Sequence, residues 1–166
     1  MSEPRWLDPV QMQAWQGLIA IVNRAFPDIE RPMKAQGMRA VQYGILVALD
    51  GAPDRTLTLS ELAEIANTSQ SRLSHRLQDL VTGGLVEVTE SAYDGRVKNA
   101  TLTRLGRKRL SKIAPSHAEA VQSVIFDHLT AEQTASLADA LSSIAEQFCD
   151  HSKPNCRLHG TGNPPA

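Results

Sequence analysis

The chain has 166 residues, 42% of them hydrophobic, with 17 Lys+Arg against 18 Asp+Glu. That is enough apolar material for one domain core, and no apolar run reaches the roughly 18 residues a membrane helix needs. The formal net charge of −1 would by itself argue against a nucleic-acid partner, and two cysteines cannot build a secreted disulfide framework.

The opening MSEPRWLDP lacks the basic-then-apolar pattern of a secretory signal, so a cytoplasmic protein is expected. Asp8-Pro9-Val10-Gln11 reads as a helix start, with Asp as N-cap, Pro in the first turn and Gln closing a capping box. Trp15, Leu18, Ile19, Val22, Phe26 and Ile29 then form an apolar stripe. Pro27 should kink or end this helix, which is expected over about residues 8–30. Arg39 to Leu49 reads as a second helix with Val41, Ile45, Val47 and Leu49 apolar, and Gly51–Asp54 as a loop.

Residues 58–103 carry the densest signal. Thr58 and Glu61 make a capping box for a short helix whose Leu59, Leu62, Ala63 and Ala66 share one face. Asn67-Thr68 is a polar turn, and Ser69 is the N-cap of a following helix. In that helix Leu73, Leu77 and Leu80 form the buried stripe, while Gln70, Ser71, Arg72, Ser74, His75 and Arg76 point outward. Gly83-Gly84 ends it, and Leu85–Glu90 alternates as a half-buried strand should. Asp94-Gly95 is a tight-turn signal, with Arg96 and Lys98 at or near its tip and a second β-rich stretch after it. This order predicts a helix-turn-helix with a β-hairpin wing over about residues 56–103, a layout that puts one helix into a DNA groove. Polar side chains on that helix can reach phosphates or base edges, and Arg suits the O6/N7 edge of guanine.

The distribution of charge agrees. Residues 67–112 hold 9 Lys+Arg against 4 Asp+Glu, whereas residues 113–166 hold 2 against 6. A basic face on an otherwise acidic body is the electrostatic footprint of a DNA binder.

After the wing, Thr103 starts a long helix, with a kink expected near Ala114 because Pro115 removes a hydrogen bond. Thr130 and Gln133 form another capping box, opening a last helix with Leu137, Leu141, Ile144 and Phe148 in a heptad-like seam. The first helix and residues 104–149 are therefore expected to form a dimerisation layer, since a lone subunit has nothing obvious to cover these stripes. The fold class expected is mainly α (α+β): a winged helix-turn-helix lobe with a helical dimerisation layer.

The run LSELAEIANTSQSRLSHRLQDLVTGGLV followed by DGRVKNATLT resembles the MarR family of bacterial transcription regulators. Asp94, Arg96, Leu102, Thr103 and Gly106 match the family's wing pattern without gaps. The likeness covers residues 8–149, leaving 150–166 as a flexible tail. It implies a homodimer with a winged-helix lobe in each subunit that binds a palindromic operator; many members respond to small aromatic acids or phenols and some to thiol oxidation or metals, and a repressor released by a small aromatic ligand is the expected function. In it, Ser69, Gln70, Ser71, Arg72, Ser74, His75 and Arg76 contact duplex DNA. The wing Arg96 enters the minor groove with Lys98 beside it, and Asp94 and Gly95 hold the wing's shape. A ligand pocket is expected where His117, Trp15 and Tyr43 approach the junction between lobe and dimer helices. The Gly51–Asp54 segment and the Pro115 kink are the candidate hinges.

Other readings stay open at this point. Cys149, His151, Cys156 and His159 are zinc-ligand types, but their spacing is not a standard zinc pattern, so a metal- or thiol-responsive regulator is an alternative. A winged helix used for protein–protein contact would need an apolar or acidic outer face on the second helix, which Gln70 to Arg76 do not supply. No internal repeat, catalytic Ser/His/Asp set, carboxylate pair or cofactor loop is present, so neither an enzyme nor a cofactor is expected.

Overall fold

The computed structural model describes residues 4–91 and 95–148. Asp8 caps α1 (Pro9–Ala20): its carboxylate accepts the Gln11 N–H at 2.8 Å, and Gln11 returns the bond to the Asp8 N–H at 3.0 Å. A π-helical turn, Ile21–Ala25, then leads into α2 (Phe26–Ala35). The first helical segment thus runs past the expected end at residue 30, and Pro27 does not stop it. The wider i→i+5 turn, closed by Phe26 N–H to the Ile21 carbonyl, sits directly before Pro27. It relieves the clash a proline ring makes with the preceding turn. Ile29 also leaves the exposed stripe: it is buried, as is Met33 one turn on, where α2 lies along the long helix Arg104–Val124.

Arg39 is the N-cap of α3 (Ala40–Asp50), which buries Ile45, Leu46 and Leu49. Val47, expected in the apolar set, is exposed. Gly51 ends α3, and the expected loop contains a 3-10 turn, Pro53–Arg55, with left-handed backbone at Asp54 and Arg55. Asp50 anchors this exit, with its Oδ1 3.5 Å from Arg55 Nε and 3.7 Å from Arg107 Nε.

A short strand that sequence periodicity missed follows, β1 (Thr56–Thr58). Next come α4 (Leu59–Ile65) and α5 (Gln70–Thr82), then β2 (Val86–Glu90) and β3 (Lys98–Leu102). The sheet is antiparallel in the order β1-β3-β2, with Leu57 and Val88 both opposite Ala100. Those pairs put apolar side chains on one sheet face, against Leu62, Leu73, Leu77 and Leu80 of α4 and α5. The Thr58–Glu61 capping box and the Ser69 cap form as expected.

Thr103 caps α6 (Arg104–Val124), whose Leu110 and Ile113 complete the core beside Leu46 and Leu49. The expected kink at Ala114 does not break this helix, which runs unbroken through Pro115. Pro115 and Ser111 are both exposed, so the hydrogen bond that Pro115 cannot donate to the Ser111 carbonyl is lost on the helix's outer side, where water can replace it. A 3-10 turn, Phe126–His128, leads to α7 (Ala131–Glu146), opened by the Thr130–Gln133 capping box. The observed class is helix-rich with a small three-stranded sheet, a winged helix-turn-helix fold. Neither α1 nor α7 has a buried residue.

Candidate nucleic-acid interface

Ser69 sets the start of α5, its Oγ accepting the Arg72 N–H at 3.4 Å. The 3.6-residue period then turns Leu73, Leu77 and Leu80 inward and leaves Gln70, Ser71, Arg72, Ser74 and His75 exposed, with Arg76 half-buried. Ser74 donates its hydroxyl to the Gln70 carbonyl at 2.9 Å, which leaves its oxygen only as an acceptor for a partner. Ser69 is likewise engaged as an acceptor but keeps its O–H to donate. The amide of Gln70, the guanidinium groups of Arg72 and Arg76 and the imidazole of His75 are therefore the freer readers on this face.

The face borders a groove of about 420 Å³ lined by residues of α3 and α5, among them Arg39, Arg72, His75, Arg76 and Asp79. Arg39 Nη2 donates to Asp79 Oδ2 at 2.7 Å. Gln42, which is buried, donates to the same oxygen at 3.2 Å and accepts the Arg39 N–H at 3.0 Å. Arg39, Gln42 and Asp79 were missed in the sequence. Asp79 follows Arg72 and Arg76 at helical spacing, so periodicity alone could have found it. Arg39 and Gln42 become visible only once α3 packs on α5.

The wing is the hairpin of β2 and β3, closed at its far end by Ser91 N–H to the Val97 carbonyl at 2.8 Å. Gly95 and Arg96 form an exposed turn, and Lys98, also exposed, stands across from Glu90. Asp94 lies outside the described residues. At the base of the wing, Thr103 and Gly106 show why the Leu-Thr-x-x-Gly spacing is needed. Gly106 is buried, and a Cβ on it would overlap the Leu85 carbonyl and come within 2.7 Å of Leu102 Cδ1.

Tyr43 and His117 meet edge to face, with ring centroids 4.8 Å apart at 62°. Burial raises the Tyr43 phenol above its ordinary value, so it is a neutral donor at physiological pH. His117 Nδ1 is buried with no hydrogen-bond partner among the described residues. Trp15 does not join them within the chain. It stands exposed on α1, lining a separate groove with Met12, Gln16, Ile19, Asn23 and Arg24, and among the described residues none covers α1 well enough to bury any of its side chains. Cys149, His151, Cys156 and His159 lie outside the described residues. Among the described residues no group of three or more His, Cys, Asp or Glu could hold a metal ion, and no helix is long and apolar enough to cross a membrane.

A helix-turn-helix with a basic second helix, flanked by a hairpin wing, defines a winged-helix DNA-binding protein. The model of the MarR family matches residues 36–97. The chain is similar to Sco3205, a MarR family transcriptional regulator from Streptomyces coelicolor solved in complex with DNA. The two are 34% identical, with 95% of this chain and 99% of that one covered and a TM-score of 0.83. AbsC, a second MarR family regulator from Streptomyces coelicolor, is 30% identical over 87% of this chain and 98% of its own, with a TM-score of 0.81. The HTH-type transcriptional repressor YetL of Bacillus subtilis (strain 168) is 24% identical over 127 residues, 76% of either chain. The chain belongs to the MarR family, and it is a DNA-binding transcriptional regulator.

Proposed function

We propose that the chain is a repressor that binds a palindromic operator as a homodimer and is released by a small aromatic ligand. The observation that carries the DNA part is the exposed face of α5, where Gln70, Ser71, Arg72, His75 and Arg76 stand free of the core beside a wing carrying Arg96 and Lys98. In this reading α5 enters the major groove and the wing reaches the minor groove. Ser69 and Ser74 act mainly through the helix they stabilise.

The dimer is supported by what the single chain leaves uncovered. Trp15, Val22 and Phe26 are 53%, 58% and 48% exposed, and Leu141, Ile144 and Phe148 on the α7 side are 44%, 47% and 81% exposed. Exposed apolar stripes of this kind are usually covered by a partner, and a second copy supplies matching ones by twofold symmetry. Two α5 helices related by that twofold read an inverted repeat.

The ligand part is supported by the Tyr43–His117 pair. Two rings set edge to face, one a half-buried phenol and the other an imidazole with an unpartnered buried nitrogen, combine apolar surface with two hydrogen-bonding groups, which suits an aromatic acid. Trp15 contributes only if the partner subunit brings it there.

Enrichment of bound duplexes from a random pool tests the reading. An inverted repeat with half-site centres about 34 Å apart is expected, bound by two chains. Enrichment of a single half-site bound by one chain would contradict it.

A further inference from the structure

Asp79 is an anion on the face of α5 that meets DNA. A carboxylate beside phosphate is repelled unless a cation is held against it. Arg39 is that cation, and Gln42 fixes both partners: its amide N–H₂ holds the Asp79 carboxylate, and its carbonyl oxygen holds the Arg39 backbone. Gln42 is only 8% exposed, so this amide is set by packing. The Arg39 side chain, by contrast, is 72% exposed. Of its five N–H donors, only those on Nη2 have a partner among the described residues. Arg39 stands on the rim of the same groove as Arg72, His75 and Arg76, so three guanidinium groups face one carboxylate and the groove stays cationic.

We propose that the groove between α3 and α5 seats the sugar-phosphate strand bordering the major groove that α5 reads. In it Arg39 contacts a phosphate from outside the helix-turn-helix, and Asp79 is the positioning residue that holds Arg39 in place. This rests on α5 being the groove-reading helix. A helix about 10–12 Å across fills a major groove about 12 Å wide, so the DNA strands must pass along its flanks. The α3 side of α5 is one such flank, and it is where the protein provides a cation-lined depression. An arginine held by a carboxylate has already lost much of its rotamer freedom, so ordering it on binding costs less. If Asp79 and Arg39 were only a self-neutralising surface pair, neither would affect binding.

The test uses the full chain, a duplex enriched from a random pool, and a random duplex of equal length, over about 50–200 mM salt. Arg39→Ala should weaken both duplexes alike and lower the slope of log K against log salt by about one. Arg39→Gln, which keeps the stem and an amide, should show the same slope. Asp79→Asn should also weaken binding, Asp79→Glu should restore part of it, and the Arg39→Ala/Asp79→Asn double variant should bind no worse than Arg39→Ala alone. Wild-type binding and slope by Arg39→Ala while Arg72→Ala loses affinity would overturn the seat. Tighter binding of both duplexes by Asp79→Asn would make Asp79 a mask and overturn its positioning role. If none of Arg39→Ala, Arg72→Ala and Arg76→Ala changes affinity, the assignment of α5 itself fails.

Discussion

Thr103 donates its hydroxyl to the carbonyl oxygen of Gly84 at 2.7 Å, and the same oxygen atom of Thr103 accepts the Gly106 N–H at 3.0 Å. One side chain therefore starts α6 and pins it to the turn that ends α5. The close approach of Gly106 to Leu85 completes the joint. α5, the base of the wing and α6 meet here, so the joint fixes the angle between α5 and the wing.

Gly106→Ala forces a methyl group into the Leu85 carbonyl, and a backbone atom cannot step aside. The expected cost is about 1–3 kcal/mol, in the range of core overpacking. Thr103→Ala should cost about 1 kcal/mol through the lost cap. Urea unfolding checks both, and a Gly106→Ala variant as stable as wild type would mean the joint is looser than described.

The sequence made the wing and its joint legible because each element there is bounded by strong local chemistry: Ser69, Gly83-Gly84, Asp94-Gly95 and Thr103. The π turn was not legible, since Pro27 announces a break but not how the chain absorbs it. β1 was hidden because three residues are too few for a period, and Thr56–Thr58 is a strand only through its pairing with Thr101–Asn99. Asp79 was within reach of helical spacing. Its partners Arg39 and Gln42 lie 40 and 37 residues away, a tertiary contact no local pattern encodes. Tyr43 and His117 lie together, while Trp15 does not join them, because an apolar stripe does not say what covers it.

Leu141→Asp or Ile144→Asp would place a charge in the surface proposed to meet a second copy. Such a variant should lose dimer and operator binding together, because burying an unpaired charge costs several kcal/mol. In the lone chain both positions are exposed, so the fold itself should survive, with a near-native circular dichroism spectrum. Light scattering showing a dimer unchanged by both substitutions would exclude α7 from the interface.

His117→Phe should leave stability unchanged or slightly raised, since it removes a buried nitrogen without a partner. The same variant, and Tyr43→Phe, should lose any release of operator by aromatic acids. A tenfold release corresponds to about 1.4 kcal/mol of coupling, within reach of one lost hydrogen bond. A panel of aromatic acids titrated against the bound duplex measures this. An unaltered ligand response in both variants would move the pocket elsewhere.

A thiol switch predicts a different pattern. Peroxide would release operator from the wild type and not from a Cys149→Ser/Cys156→Ser double variant, while aromatic acids do nothing to either. The same binding assay reads it, and the ligand reading predicts that peroxide leaves both proteins bound.

Operator binding as proposed depends above all on α5 reading the major groove. The measurement is the affinity of Arg72→Ala and Arg76→Ala for the enriched duplex and for single-base variants of it, across a salt titration. A bidentate base contact predicts a loss of about 1–3 kcal/mol on the enriched duplex and relaxed discrimination at one base pair. A phosphate contact predicts an equal loss on every duplex and a salt slope lower by about one. Wild-type affinity, discrimination and slope in both variants would contradict it.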